Sequence, residues 1–298
     1  MASPIEPIQH SLRTGSHTLC LYQWPRPDAS FRLLAMHGFA GDGLDFLPLF
    51  EQLPDVECAS VDLLGHGQSE APPDRRAYFT GAQVAQLSDV FAHLERRRDR
   101  RPLFVLGYSM GGRLLLQWMR ARQDEAARIF DGSMLIGASP GIDEEEERRR
   151  RALWDEGWAC RAEQMGVASF MRAWRALPII RTQERMDDES ARALLRRREA
   201  QRATGLAGSM RGFGAGVMPS CWSWIERGAH DAMPPLLYLA GEEDEKYNRI
   251  GERLVRQMPH ARLVQIDGAG HAPHLEAPAR CARALLTFMQ EKTRGGAG

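Results

Sequence analysis

The sequence predicts an α/β fold: a mostly parallel, doubly wound sheet, covered by helices on both faces and interrupted by an all-helical cap. Three features of the 298 residues predict it. Short β-prone runs that are apolar almost throughout alternate with helical patterns, which is how strands buried on both faces read. Several of those runs end in glycine-containing loops. After "SPG" the alternation breaks, and only helical patterns follow until "MPPLLYLAG" resumes it.

In chain order, "FRLLAMHGF" is a strand ending in a glycine loop, and "VECASVDLLGHGQS" is another ending the same way. "PLFVLGYS" and "GSMLIGASPG" come next, and "PLLYLAGEED" and "ARLVQIDGAGH" follow the break. Helical patterns such as "TGAQVAQLSDVFAHLERRR" and "GGRLLLQWMRARQDEAARIF" lie between strands. The chain thus divides into a first part of the core at 1–141, a helical cap at 142–228 and a second part of the core at 229–298. "DEEEERRRR" opens the cap, with Glu144 to Arg148 and Glu145 to Arg149 at the favourable i,i+4 spacing. No internal repeat or low-complexity linker is visible.

Hydrophobic residues make up 43% and charged residues 26%, as in soluble globular proteins, and 39 basic side chains balance 39 acidic ones. That balance gives no global reason to expect nucleic acid or a membrane surface as partner. No apolar run approaches membrane-spanning length, and "MASPIEPIQHSL" lacks a basic region followed by an apolar run. Cys20, Cys58, Cys160, Cys221 and Cys281 are scattered without metal-ligand spacing. A cytoplasmic protein with reduced thiols is expected.

The chemistry starts at Gly107-Tyr108-Ser109-Met110-Gly111, where a strand pattern meets a helical one. In that context Gly-x-Ser-x-Gly makes a sharp, strained turn that presents the serine hydroxyl at the C-terminal edge of the sheet. A serine needs a base, and the base needs an orienting carboxylate. His271, just after the last strand pattern, is the expected base, with His274 as its rival and read as structural. His37 and His66 are expected to shape loops through backbone hydrogen bonds. Asp244, in the loop of "YLAGEEDEKY", is the expected acid, with Asp143 as runner-up. The backbone N–H groups of Phe39, in "HGFAGDG", and of Met110 can stabilise a developing oxyanion.

Arg113 stands one turn after Ser109 on the same helix face. A cation there opposes the helix dipole at a cost of ~0.5 kcal/mol, so something should offset it. One offset is an internal salt bridge to Asp62 or Asp42. The other is an anionic substrate held beside the serine.

Together "GYSMGGR", "SPG" before a Glu/Arg helix, "GAGVMPSCW", "GEEDEKY" and "GHAPHLEAP" resemble the 2-succinyl-6-hydroxy-2,4-cyclohexadiene-1-carboxylate synthases of menaquinone biosynthesis, a family of the α/β-hydrolase superfamily. The resemblance runs from about Met36 to Pro278. It implies a lyase that works without metal or organic cofactor. Such an enzyme removes pyruvate from 2-succinyl-5-enolpyruvyl-6-hydroxy-3-cyclohexene-1-carboxylate, with Ser109, His271 and Asp244 as the proton-abstracting unit. Motif by motif, it also implies that Arg113, Arg151 and Arg198 bind the substrate's carboxylates, and that Tyr108 and Trp174 are pocket aromatics. Arg148 is the alternative to Arg151. The chain departs from the family pattern at Arg175, Leu177 and Met218, all on the cap. Competing readings are a serine hydrolase acting on a small anionic ester or thioester, and a catalytically dead binding module.

Overall fold

The computed structural model describes residues 6–97, 99–228 and 233–294. One eight-stranded sheet forms the centre, in the order β1-β2-β4-β3-β5-β6-β7-β8. Its strands are β1 (Ile8–Thr14), β2 (His17–Trp24), β3 (Phe31–Met36), β4 (Val56–Val61), β5 (Leu103–Tyr108), β6 (Gly132–Ile136), β7 (Leu236–Gly241) and β8 (Ala261–Ile266). From β4 to β8 every neighbouring pair is parallel. In β3, β5, β6 and β7 every residue is buried, because helices cover both faces. Successive side chains feed opposite cores: Leu34 and Val105 join Trp118 and Phe91 on one face, while Leu33 and Phe104 join Phe50 and Phe288 on the other.

The six strands read from the sequence all fall within these runs. The antiparallel hairpin β1–β2 has no counterpart among them. Its first strand is mostly exposed or half-buried, so it carries no apolar run to read. A two-residue turn opened by Gly15, at φ 56°, joins the two strands.

Between β6 and β7 the described chain is helical: Glu145–Arg175, Pro178–Arg181, Asp188–Glu199, Ala203–Phe213 and Trp222–Glu226, with a 3-10 turn at Thr182–Arg185. The expected resumption of the core at residue 229 lies outside the described residues. Glu145–Arg175 is two helices in series, broken at Gly166, where φ is 75° and ψ is 162°. Its second half stacks Phe170 on Trp174, with ring centroids 5.5 Å apart, over Leu206 and Met210 of Ala203–Phe213. That helix in turn lies on the core. A Cβ at Gly205 would come within 2.0 Å of the Gly65 carbonyl oxygen, so only glycine permits this backbone-on-backbone contact.

All five cysteines are free; four are buried and Cys160, in the first half of the long helix, is half-buried. No helix among the described residues is long and apolar enough to cross a membrane.

Candidate active site

The turn between β5 and the helix Met110–Ala121 holds Ser109 at φ 47° and ψ −104°, a conformation that costs a residue with a Cβ on the order of 1–3 kcal/mol. Close packing enforces it. A Cβ at Gly107 would lie 2.5 Å from Gly112 Cα, and one at Gly111 would lie 2.3 Å from the Met36 carbonyl oxygen. Ser109 N–H donates to Ile136 O at 2.8 Å and Gly111 N–H to His37 O at 3.0 Å, locking the turn between β6 and the loop after β3. The glycines here serve close approach, while the positive φ falls on the serine itself.

Ser109 Oγ lies 3.1 Å from His271 Nε2, and His271 Nδ1 lies 2.7 Å from Asp244 Oδ2. With Nδ1–H donating to the carboxylate, Nε2 is left to accept the serine proton. His271 and Asp244 are only 5% and 8% exposed, which keeps water from competing for that line. Asp244 caps the helix Glu245–Gln257, accepting from Tyr247 N–H at 3.4 Å, and the Tyr247 ring packs 4.6 Å from the His271 ring.

The two alternatives stand elsewhere. Asp143 accepts from Ser220 Oγ at 2.6 Å and from Arg253 at 3.2 Å. His274 is buried against Phe46 and Tyr108, and neither ring nitrogen has a partner among the described residues. His37 Nε2 accepts from Leu63 N–H at 2.9 Å while its Nδ1 faces Gly38 O at 2.7 Å, and His66 Nδ1 lies 3.2 Å from Leu64 O. Both histidines shape loops.

Above Ser109 opens a cavity of about 360 Å³. Phe39, Tyr108, Ser109, Met110, Arg113 and His271 line it from the core, and Arg151, Trp154, Asp155, Trp174 and Met210 from the helical segment. The Met110 amide is at the first residue of its helix, where N–H groups have no intrahelical acceptor. The Phe39 ring meets Trp174 edge-on, with centroids 5.0 Å apart.

Three cations share this cavity: Arg113, Arg151 and Lys246. Arg113 is pushed down to about 10, first by burial and then by Arg151. Neither expected carboxylate meets it. Asp42 pairs with Arg197 at 3.1 Å, and Asp62 accepts from Gly43 N–H, Gln68 N–H and the Tyr22 hydroxyl. Arg113 instead donates to Phe213 O at 2.8 Å and Met218 Sδ at 3.3 Å. Met218, a departure from the family pattern, therefore touches this arginine, and Leu177 lines the cavity.

Arg151 Nε donates to Asp155 Oδ1 at 2.9 Å, with its guanidinium over the Trp154 ring. Arg148, its alternative, pairs with Glu145 at 3.7 Å and does not line the cavity. Arg198, the third arginine expected at the substrate, does not line this cavity. It is 6% exposed, donates to Gln183 Oε1 at 2.7 Å, and stands with Arg175 at a separate small space. The last turn of Asp188–Glu199 faces the 3-10 turn and the loop after β3 rather than the cavity. Lys246 went unread in the sequence; burial first, and Arg151 next, lower its pKa.

The sequence pattern described as "Alpha/beta hydrolase family" matches residues 33–284. A Bacillus subtilis (strain 168) protein provisionally named 2-succinyl-6-hydroxy-2,4-cyclohexadiene-1-carboxylate synthase is 30% identical over 263 residues, covering 88% of this chain and 92% of its own. The synthase of that name from Enterobacter sp. (strain 638) is 29% identical over 258 residues, covering 87% and 91%. Among solved structures, MenH from S. aureus superposes with a TM-score of 0.81 at 25% identity, over 93% of this chain and 99% of that one. A malate-bound esterase from Thermogutta terrifontis shares the fold, with a TM-score of 0.77 at 20% identity over 96% and 99%. By the extent of these matches, the chain belongs to the alpha/beta hydrolase family and, within it, to the 2-succinyl-6-hydroxy-2,4-cyclohexadiene-1-carboxylate synthase group.

Proposed function

We propose that the protein is a lyase that eliminates pyruvate from 2-succinyl-5-enolpyruvyl-6-hydroxy-3-cyclohexene-1-carboxylate to give 2-succinyl-6-hydroxy-2,4-cyclohexadiene-1-carboxylate. One observation carries the reading: Ser109 opens into a cavity with Arg113, Arg151 and Lys246, and among the described residues only Arg151 of the three has a carboxylate within ion-pair distance. Cavity cations that lack a carboxylate partner ask for an anionic ligand, and the substrate offers three carboxylates. The names of the relatives support the same choice.

In this mechanism Ser109 Oγ passes its proton to His271 Nε2 and takes the ring proton at C2, beside the succinyl carbonyl. The C2–H electrons form the C2=C3 bond, the former C3=C4 pair becomes C4=C5, and the C5–O bond breaks. The departing enolpyruvate takes up a proton and ketonises to pyruvate. The step is redox-neutral and needs no co-reactant. Asp244 stabilises the imidazolium. The Phe39 and Met110 amides meet the enolate-like charge on the succinyl carbonyl oxygen. Segment 142–228 acts as the cap that closes the cavity, bringing Arg151, Trp154 and Trp174 over the ring.

The test is a comparison of two activities. The purified protein should release pyruvate from the enolpyruvyl substrate far faster than it hydrolyses neutral p-nitrophenyl esters. A charged hydrogen bond lost in such a site costs about 1.5–3 kcal/mol, or roughly ten- to a hundredfold. Arg113→Ala should therefore lower pyruvate release by about that factor more than residual esterase turnover. Brisk esterase turnover without pyruvate release, unchanged by Arg113→Ala, would make the protein a serine hydrolase instead.

A further inference from the structure

The loop that carries Phe39 runs from the end of β3 through residues 38–45, and it is strained. Ala40 takes φ 62°, a left-handed value for a residue with a Cβ. Such a conformation persists only where its surroundings fix it from several sides. From the core, Asp62 accepts from Gly43 N–H at 2.6 Å and Ser60 Oγ donates to Gly43 O at 2.9 Å. Those bonds hold the far end of the loop.

The part nearer Phe39 is held from the helical segment. Gln201 Nε2 donates to Gly41 O at 3.1 Å, and the same side chain's Oε1 accepts from Gly67 N–H at 3.0 Å. One amide thus spans the loops after β3 and β4, and it is 6% exposed. Arg197 forks across two acids of the loop, Nε to Asp42 Oδ1 at 3.1 Å and Nη2 to Asp45 Oδ1 at 2.7 Å. Both aspartates are buried, so the guanidinium supplies their shared hydrogen-bond donor and positive charge in low dielectric.

We propose that Arg197 and Gln201 are positioning residues that hold residues 38–45, and with them the Phe39 amide, in register with Ser109. This rests on the reading of Phe39 and Met110 as the oxyanion donors. Neither side chain lines the cavity, so neither acts on substrate directly. Fastening of the helical segment to the core has other means: Arg202 donates to Gly67 O at 3.1 Å, and Gly205 lies on Gly65. What the fork and the amide bridge add is a fixed loop.

In the full-length protein, Arg197→Met and Gln201→Leu should each lower kcat for pyruvate release about 10- to 100-fold, with KM within about twofold of wild type. A fluorophosphonate provides a readout independent of the natural substrate. Ser109 Oγ bonds its phosphorus with loss of fluoride, and the phosphoryl oxygen is stabilised by the same amides. Its labelling rate should fall in parallel with kcat, and Ser109→Ala should not label. Arg197→Lys keeps the charge without the fork and should restore the rate only in part. Unchanged labelling in a folded variant, with or without a lowered melting temperature, would overturn the proposal, as would a loss confined to KM. If Arg197→Met does not fold, Gln201→Leu decides alone. A wild type that labels but releases no pyruvate would sink the lyase reading, while the labelling comparison still decides this one.

Discussion

At the residue scale, the serine, histidine and aspartate form a line of two hydrogen bonds that either substitution breaks. Ser109→Ala and His271→Ala should each lower kcat by about a thousandfold or more with the fold intact, whereas Asp143→Asn should leave kcat near wild type, since Asp143 joins Ser220 and Arg253 instead of His271. Steady-state kinetics on the three purified variants check this, and a damaging Asp143→Asn would move the acid. These three side chains were legible because each sits at a strand end in a fixed chain order, with glycines marking the turns. The cations were legible only in part. Arg113 announces itself as a charge opposing a helix dipole, and Lys246, second residue of Glu245–Gln257, makes the same misfit. The test applied to one would have found the other. Arg198 carried no such signal, because the side a helical arginine faces is settled by packing between helices distant in sequence.

At the element scale, strands buried on both faces could be read from their composition, and the hairpin β1–β2, half open to solvent, could not. The break at Gly166 was equally silent, since the sequence around it is helical on both sides and the glycine has space enough for a Cβ. That break bears on the proposed closure. Ala203–Phe213 is seated backbone-to-backbone on Gly65, while Glu145–Arg175 supplies Arg151, Trp154 and Trp174 to the cavity and bends in its middle. Saturating product should therefore slow proteolytic cleavage within Glu145–Arg175 several-fold, and cleavage within Ala203–Phe213 little. Mapping fragments by mass spectrometry distinguishes the two, and equal protection of both helices would mean that the segment moves as one piece.

At the scale of the whole molecule, the sheet gathers the cavity from residues as far apart as Phe39 and His271, and it also buries neutral imidazoles. Burial lowers the pKa of His37, His66 and His274, the last two to about 3. An unfolded histidine takes up a proton near 6.5, so each one's contribution to stability is complete above that pH and is lost as pH falls toward the native value. Asp42 opposes them, pushed up to about 7 by burial and then by Asp45, so that the native state holds a proton the unfolded chain releases. His274→Phe isolates one histidine. Relative to wild type, its unfolding free energy from urea titrations should gain about 2 kcal/mol on going from pH 7 to pH 5. An identical pH dependence in both proteins would mean that His274 titrates normally in the fold. The distribution of thiols has a different use. Four cysteines are sealed in the interior, and the half-buried fifth, Cys160, rides on the helix arm that carries Arg151 and Trp154, ahead of the Gly166 break. A maleimide dye added to the native protein would thus choose a single address without any engineering, and its fluorescence would show whether that arm moves when substrate enters the cavity.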